Sequence, residues 1–600
     1  MKKIFWFCLV IWTFHSTHAQ MTPYEINGKN YSATYEECIE FYQRLVEDYP
    51  SVSMHTMGKT DGGIPLHVLL ISKSGQNDPM QWHRKNKMVI LVNNGIHSGE
   101  PDGIDASMLL TRDLAQMSVT NHPNFPENVG IAIIPVYNIE GCKNRSEFHR
   151  VDQEGPIAFG TRGNGQNLDL NRDFIKQDSR NAQSFAEIFQ WIDPDIFLDN
   201  HVSDGADYQH VMTLATTQHN KLGGSMGAYL KDVFEPGIFH RMKHRNYPTI
   251  PYVNVWGWDA AQGWEQFFDS PRYGSGYAAL FHTFSFTPET HMLKPYAQRV
   301  DATYQLMWSF IDFASAHADT IIQLRKMSIA EAQHQTTFPL SWKVDTTQFS
   351  KFDLMGYAYQ EKQSKISGLP FHYYNRNEPK TMSIKYLNQY IPVLQAEAPL
   401  AYIIPAGWWK TIERLKQNGV LMQTFTTDTI INVEAYRILN YQSSATPYEG
   451  HHVNHDIQLE KKIKSLQVRK GDYFIPVQQI RKRFIIEVLE PHAQDSYFSW
   501  NDFDPILNQK EGFTGYAFEP IAEAWLNEQP AIKDSLKKAC ATDAKLASNT
   551  QAQLEYIFKR SPWYEEAHNL YPVFRVVDHH MIIPEILKSS TPLYRNKSDE

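Results

Sequence analysis

Two short segments of the first half of the chain hold residues able to bind and use a metal ion. His97-Ser98-Gly99-Glu100 sets an imidazole and a carboxylate three residues apart, and His201 adds a second imidazole farther on. A catalytic zinc ion takes three protein ligands and keeps one position open for water. That water becomes acidic enough to attack an amide near neutral pH. His97, Glu100 and His201 form such a set. Alone, His-x-x-Glu is a common spacing, so its meaning depends on where the fold places it. A metal-bound histidine usually donates its other N–H to a carboxylate, and Asp169 is the candidate for that role behind His97.

The elements that must position these residues follow from hydrophobic pattern. Thr34 to Tyr49 reads as an amphipathic helix stopped by Pro50, and Val52–Thr60 and Ile64–Lys73 read as a hairpin turning at Asp61-Gly62-Gly63. Continuous apolar runs suited to strands buried on both faces occur at 87–92, 129–136, 196–198 and 280–286, with helices at 102–115 and 182–192. Alternating helices and apolar strands predict an α/β fold, a mostly parallel mixed sheet with helices on both faces. Ligands of such sheets bind beyond the carboxyl ends of the strands. The four runs deliver His97 and Glu100, the Tyr137-Asn138-Ile139-Glu140 turn, His201, and Glu289 to one edge. That convergence turns a weak motif into a predicted site.

The chain has 600 residues, 42% apolar and 13% aromatic, and a formal net charge of −9. It can build several packed domains, and its acidic balance argues against nucleic acid as a partner. Lys2-Lys3, the apolar run Ile4–Phe14 and small residues at Thr17 and Ala19 read as a signal peptide over 1–19, implying a secreted or periplasmic protein. No later run is long enough for a membrane span. Cys38, Cys142 and Cys540 are too few for a disulfide framework and are expected to be buried apolar side chains. A boundary near 330 separates a catalytic domain, 20–330, from an accessory α+β or β-rich region, 331–600, of one or two domains. In that region 400–404, 474–475 and 484–489 read as strands and 407–415 as a helix. The sequence does not give the oligomeric state.

In the order His97-Ser98-Gly99-Glu100, Pro135 to Gly141, Asp169-Leu170-Asn171-Arg172-Asp173-Phe174, His201 and Glu289, residues 25 to 315 resemble the M14 zinc carboxypeptidases of the carboxypeptidase A type. The resemblance implies one zinc ion per chain on His97, Glu100 and His201, with Asp169 behind the first histidine. It implies that Asn171 and Arg172 hold the free carboxylate of a peptide C-terminus. Glu289 is implied as general base and acid on a zinc-bound water. Arg150, with Arg145 as its rival, is implied as the group that polarises the scissile carbonyl. The family's mobile tyrosine falls on Tyr273 or Tyr277. Glu140 replaces the usual aspartate, His291 lies unusually close to Glu289, and the C-terminal extension has no counterpart in the minimal peptidase.

The implied activity is hydrolysis of the last peptide bond of peptides with a free C-terminus. The alternatives are an amidohydrolase acting on N-acyl amino acids or cell-wall peptides, and a non-catalytic binding protein on the same fold. His451-His452-Val453-Asn454-His455 and Asp578-His579-His580 read as exposed loops. Gly160–Gly165 reads as a rim of the site, and Trp408, Trp409 and Trp500 as packing residues.

Overall fold

The computed structural model of the protein describes residues 20–73, 75, 77–578 and 587–589. The expected signal peptide and His579-His580 lie outside the described residues. The chain forms two units. One runs to Glu331 and also takes in Lys343–Ile391; the other holds Ala332–Trp342 and the chain from Pro392.

The first unit is built on a nine-stranded sheet. Its strands are β1 Val52–Lys59, β2 Pro65–Ile71, β3 Met88–Asn93, β4 Val129–Ile134, β5 Ile196–Asp199, β6 His201–Ser203, β7 Met212–Thr216, β8 Ile250–Pro251 and, after a separate short strand β9 Trp264–Glu265, β10 Phe284–His291. The order is β1-β2-β4-β3-β5-β10-β7-β8, with β6 beside β10. The centre is parallel: β3 pairs with β4 and β5, and β10 with β5 and β6. The β1–β2, β2–β4 and β10–β7 pairs are antiparallel. Every residue of β3, β4 and β5 is buried, as a sheet covered on both faces requires.

The helices begin where their sequences cap them. Thr34 and Glu37 form a reciprocal capping box for Tyr35–Asp48, whose Cys38, Phe41, Tyr42 and Leu45 face the core. The Ser179 hydroxyl caps Arg180–Ile192; such caps contribute about 1 kcal/mol each. Asp102–Val119 and the 39-residue Tyr296–His334, which belongs to this unit as far as Glu331, complete its large helices.

Two expected strands need correction. The fourth apolar run does not start at 280: Gly274–Ala279 is a helix, and His282 takes the left-handed conformation, with φ 58°, in the turn after it. The strand starts at Phe284, so Glu289 lies inside it rather than beyond its end. Residues 484–489 belong to a helix, Lys482–Leu489, buried nearly all round. A short apolar run buried on all sides carries no period that separates helix from strand.

The second unit has a seven-stranded sheet in which Ala401–Ile404 lies between Tyr473–Pro476 and Phe574–Val576. The long hairpin Thr429–Ser443 with Asn454–Val468 extends it. Helices Gly515–Glu528 and Thr550–Phe558 pack around Phe518, Leu554 and Phe558. Cys38 and Cys142 are buried, as expected, but Cys540 is half-buried on a helix, Pro530–Thr542, that buries no residue. Trp500 is buried against Tyr448 and His451, whereas Trp409 is exposed.

Candidate active site

His97 and Glu100 sit in the loop after β3, and His201 opens β6. All three are buried, and one ligand atom from each lies within 4.8 Å of the others. The two imidazoles turn the same nitrogen inward. His97 Nδ1 is 3.2 Å from Glu100 Oε1, and His201 Nδ1 is 3.2 Å from Glu100 Oε2. Their outer nitrogens face carboxylates. His97 Nε2 donates to Asp169 Oδ1 at 2.9 Å, and His201 Nε2 lies 3.2 Å from Asp199 Oδ2. Asp199 is itself held by the Asn93 amide at 2.9 Å. Two imidazoles fixed from behind and one buried carboxylate between them are a donor set that fits a zinc ion. Among the described residues this is the one such cluster.

The electrostatics reflect this crowding. Burial would raise the Glu100 carboxyl, but His97, Arg150 and His201 outweigh it and hold it well below the usual range. Burial likewise opposes the ionised form of Asp169, and the His97 charge and hydrogen bond, with Arg162 and Arg172, hold it far below that range. Glu289 behaves oppositely: burial pushes its carboxyl up to about 8, only partly offset by His201 and the nearby arginines. Two carboxylates in one pocket with opposite shifts suit a ligand and a proton carrier, respectively.

Around the cluster is a cavity of about 540 Å3 lined by both histidines, Glu100, Arg150, Arg162, Asn171, Arg172, Tyr273 and Glu289. Glu289 enters through the register of β10, which pairs it with His201 on one side and Thr213 on the other. Asn171 and Arg172 lie in a single 3-10 turn capped by Asp169. The Asn171 side-chain oxygen accepts from Gly274 N at 3.3 Å. The Arg172 guanidinium stacks 4.5 Å from the Tyr273 ring centre and donates to the Asn171 carbonyl.

The paired candidates separate. Arg150 reaches the cavity, donating to Glu100 Oε1 at 2.6 Å and to the Val202 carbonyl at 3.1 Å. Arg145 is not among the cavity-lining residues; it donates to the carbonyls of Ser32, Ala33 and Ala158 and stacks on Tyr31. Tyr273 lines the cavity. Tyr277 is fully buried in an aromatic cluster with Phe174, Phe189 and Phe281. His291 is buried against Tyr208 and 3.6 Å from Asp207, and burial lowers its imidazole to about 4. It is a neutral packing residue at neutral pH.

Sequence reading missed Arg162. Its Nε and Nη2 contact Asp169 Oδ2 at 3.0 and 2.8 Å, and its Nη1 is 3.3 Å from His97 Nδ1. The glycine-rich stretch 160–165 reads as rim, and the signal it offers is the arginine inside it, seven residues before Asp169. Position 99 must stay small for the same site: a Cβ on Gly99 would meet Arg150 Cδ at 2.9 Å and the Gly160 carbonyl at 3.0 Å.

Residues 38–208 match the family model Peptidase_M14, described as zinc carboxypeptidase. Carboxypeptidase 2 of Trichophyton rubrum is 20% identical over 504 residues, 78% of this chain and 84% of that protein. Among solved structures, a metallo-carboxypeptidase from Burkholderia cenocepacia is 17% identical over 48% of this chain and 70% of its own, with a TM-score of 0.35. Carboxypeptidase A from Helicoverpa armigera is 17% identical over 51% and 75%, with a TM-score of 0.34.

Proposed function

We propose, for a chain that carries an M14 zinc carboxypeptidase domain, that it removes single residues from the free C-termini of peptides, with one zinc ion on His97, Glu100 and His201. The observation that carries this reading is the joining of two sets in one cavity. The metal-ligand cluster and Glu289 stand with an arginine–asparagine pair suited to a carboxylate. When bound, zinc supplies Lewis-acid chemistry, polarising a carbonyl and lowering the pKa of a water.

The protein groups do the rest. The Arg172 guanidinium takes the terminal carboxylate through two parallel N–H bonds, with Asn171 beside it. Fixing the last residue brings the last peptide bond to the cluster, and such positioning can supply several kcal/mol of barrier reduction. Glu289, in its ionised form, accepts a proton from the attacking water. It then returns that proton to the departing amine nitrogen as the C–N bond breaks. Arg150 and Arg162 stand on the same wall as cations for the oxygen on which negative charge develops. Arg150 is held by Glu100 and the Val202 carbonyl, and Arg162 by Asp169.

Residues 20–330 with the 343–391 segment make up the catalytic part in this reading, and the chain from 392 is accessory. Export follows from the leader read in 1–19. No helix among the described residues is long and apolar enough to cross a membrane.

The test is mass spectrometry of a peptide pool in which half the members have amidated C-termini, incubated with and without a chelator. Chelator-sensitive loss of single residues from free C-termini alone is the expected result. Zinc bound but neither half cut would replace this reading with the deacylase or cell-wall amidase.

A further inference from the structure

One wall of the cavity is a segment with little structure of its own. Tyr252, Asn254, Trp256 and Phe267 line the cavity, yet from Ile250 to Phe267 the chain holds only two two-residue strands and one 3-10 turn. Connections of this length without regular structure are uncommon in compact domains unless functional. Something else must hold this one in shape.

The hairpin of strands Ser350–Gln363 and Pro370–Leu387 does so. It comes from outside the matched family region, yet it belongs to the same unit. Its second strand pairs in parallel with β9, Tyr386 opposite Trp264 and Leu387 opposite Glu265. Gln266 N donates to the Leu387 carbonyl at 2.9 Å, next to cavity-lining Phe267. A separate apolar core joins Val253, Val255 and Trp264 of the wall to Leu354, Ile384 and Tyr386 of the hairpin. The Tyr374 hydroxyl donates to the Trp258 carbonyl at 3.1 Å, and that of Tyr359 to the Gly257 carbonyl at 3.4 Å. The hairpin also grips the segment that follows β6. Arg376 pairs with Asp207 at 2.6 Å, and Gln209 N donates to the Met355 carbonyl at 2.8 Å.

We infer that the hairpin Ser350–Leu387 is a positioning element of the cavity, with Tyr374 and Arg376 as its positioning residues: it holds the Tyr252–Phe267 wall in the conformation that receives the substrate. The inference rests on the peptidase reading for its kinetic consequence, not for its structural one. Where a binding-competent wall is only fractionally populated, apparent affinity falls by that fraction. Loosening the wall therefore raises KM and leaves the proton chemistry at Glu289 in place.

The full-length chain is compared with its Tyr374→Phe, Arg376→Ala and Arg376→Lys variants by hydrogen exchange and by steady-state peptide hydrolysis. In Tyr374→Phe, amides of residues 252–267 exchange faster by about fivefold, the scale of one lost hydrogen bond. In Arg376→Ala, which loses the Asp207 pair, amides of residues 205–209 exchange faster and, through the core that Ala206 and Tyr208 share with Val253 and Val255, so do those of 252–267. β3 and β5 are unchanged in both. KM rises by the factor by which the binding-competent population of the wall falls, and kcat stays within about twofold. Arg376→Lys, which keeps the charge opposite Asp207, recovers most of both. Unchanged exchange at 252–267 in both variants overturns the inference. So does faster exchange with KM unchanged, or a fall in kcat alone. If the wild-type chain cuts no peptide, the peptidase reading fails, and the exchange result by itself decides the role of the hairpin.

Discussion

Replacing Asp169 by asparagine tests the construction of the metal site without touching a ligand. Asp169 Oδ1 accepts from His97 Nε2 and from Asn171 N, each at 2.9 Å, and Oδ2 accepts from Arg162 Nε at 3.0 Å. An asparagine has one acceptor oxygen. If it serves His97, its NH2 group faces the Arg162 guanidinium; if it serves Arg162, it leaves His97 without an acceptor. Either way one charge-assisted hydrogen bond is lost, about 1.5–3 kcal/mol, and the imidazole loses the carboxylate that sets its tautomer and basicity. The expected cost is about 10- to 100-fold in zinc affinity. Competition against a chromophoric chelator, starting from apo-protein, measures it, with circular dichroism as the check on folding. Zinc affinity within about twofold of wild type in a folded Asp169→Asn protein would refute the claim that the Asp169 carboxylate strengthens His97 as a ligand.

Glu289→Gln is expected to keep zinc and lose at least about a hundredfold in kcat, the scale of a lost general base; unchanged turnover with zinc present would remove Glu289 from the chemistry. Arg172→Ala is expected to lower kcat/KM by about a hundredfold, near 2.8 kcal/mol, on peptides with a free C-terminus; an equal loss on amidated peptides would contradict the carboxylate clamp. Buried Asp105 accepts from Tyr296 and from Ala33 N, and burial raises its carboxyl to about 7. Its folded pKa exceeds its unfolded value, so its contribution to stability is complete below about pH 4 and is lost as pH rises through about 7. Thermal midpoints measured across that range should fall as pH rises, and less steeply in Asp105→Asn; equal slopes would exclude Asp105 as the cause.

The parts of the site legible in the sequence were those written in local pattern. Apolar strands followed directly by His97 and Glu100, or by His201, carry their meaning in a few adjacent residues. Asn171 and Arg172 were legible because a single turn capped by Asp169 fixes both. Arg162 was not, since its role comes from the fold of a glycine-rich loop back onto Asp169 and His97. Arg145 and Arg150 are five residues apart, and only packing sends one into the cavity and the other to the backbone of 32–33. Tyr273 and Tyr277 differ likewise: one turn of helix separates a cavity wall from an aromatic core. The hairpin 350–387 was invisible because its half-exposed strands mix polar and apolar residues and their partner is remote in sequence. Residues 484–489 misled for the opposite reason, being too uniformly apolar to show a period.

The metal content of the wild-type chain and of His97→Ala, Glu100→Ala and His201→Ala, measured after dialysis by elemental mass spectrometry, tests the site most directly. One zinc ion per wild-type chain is expected and, in each variant, little zinc and no chelator-sensitive peptide cleavage. Zinc retained in all three variants would mean that the ion sits elsewhere, and the assignment of this site would be wrong.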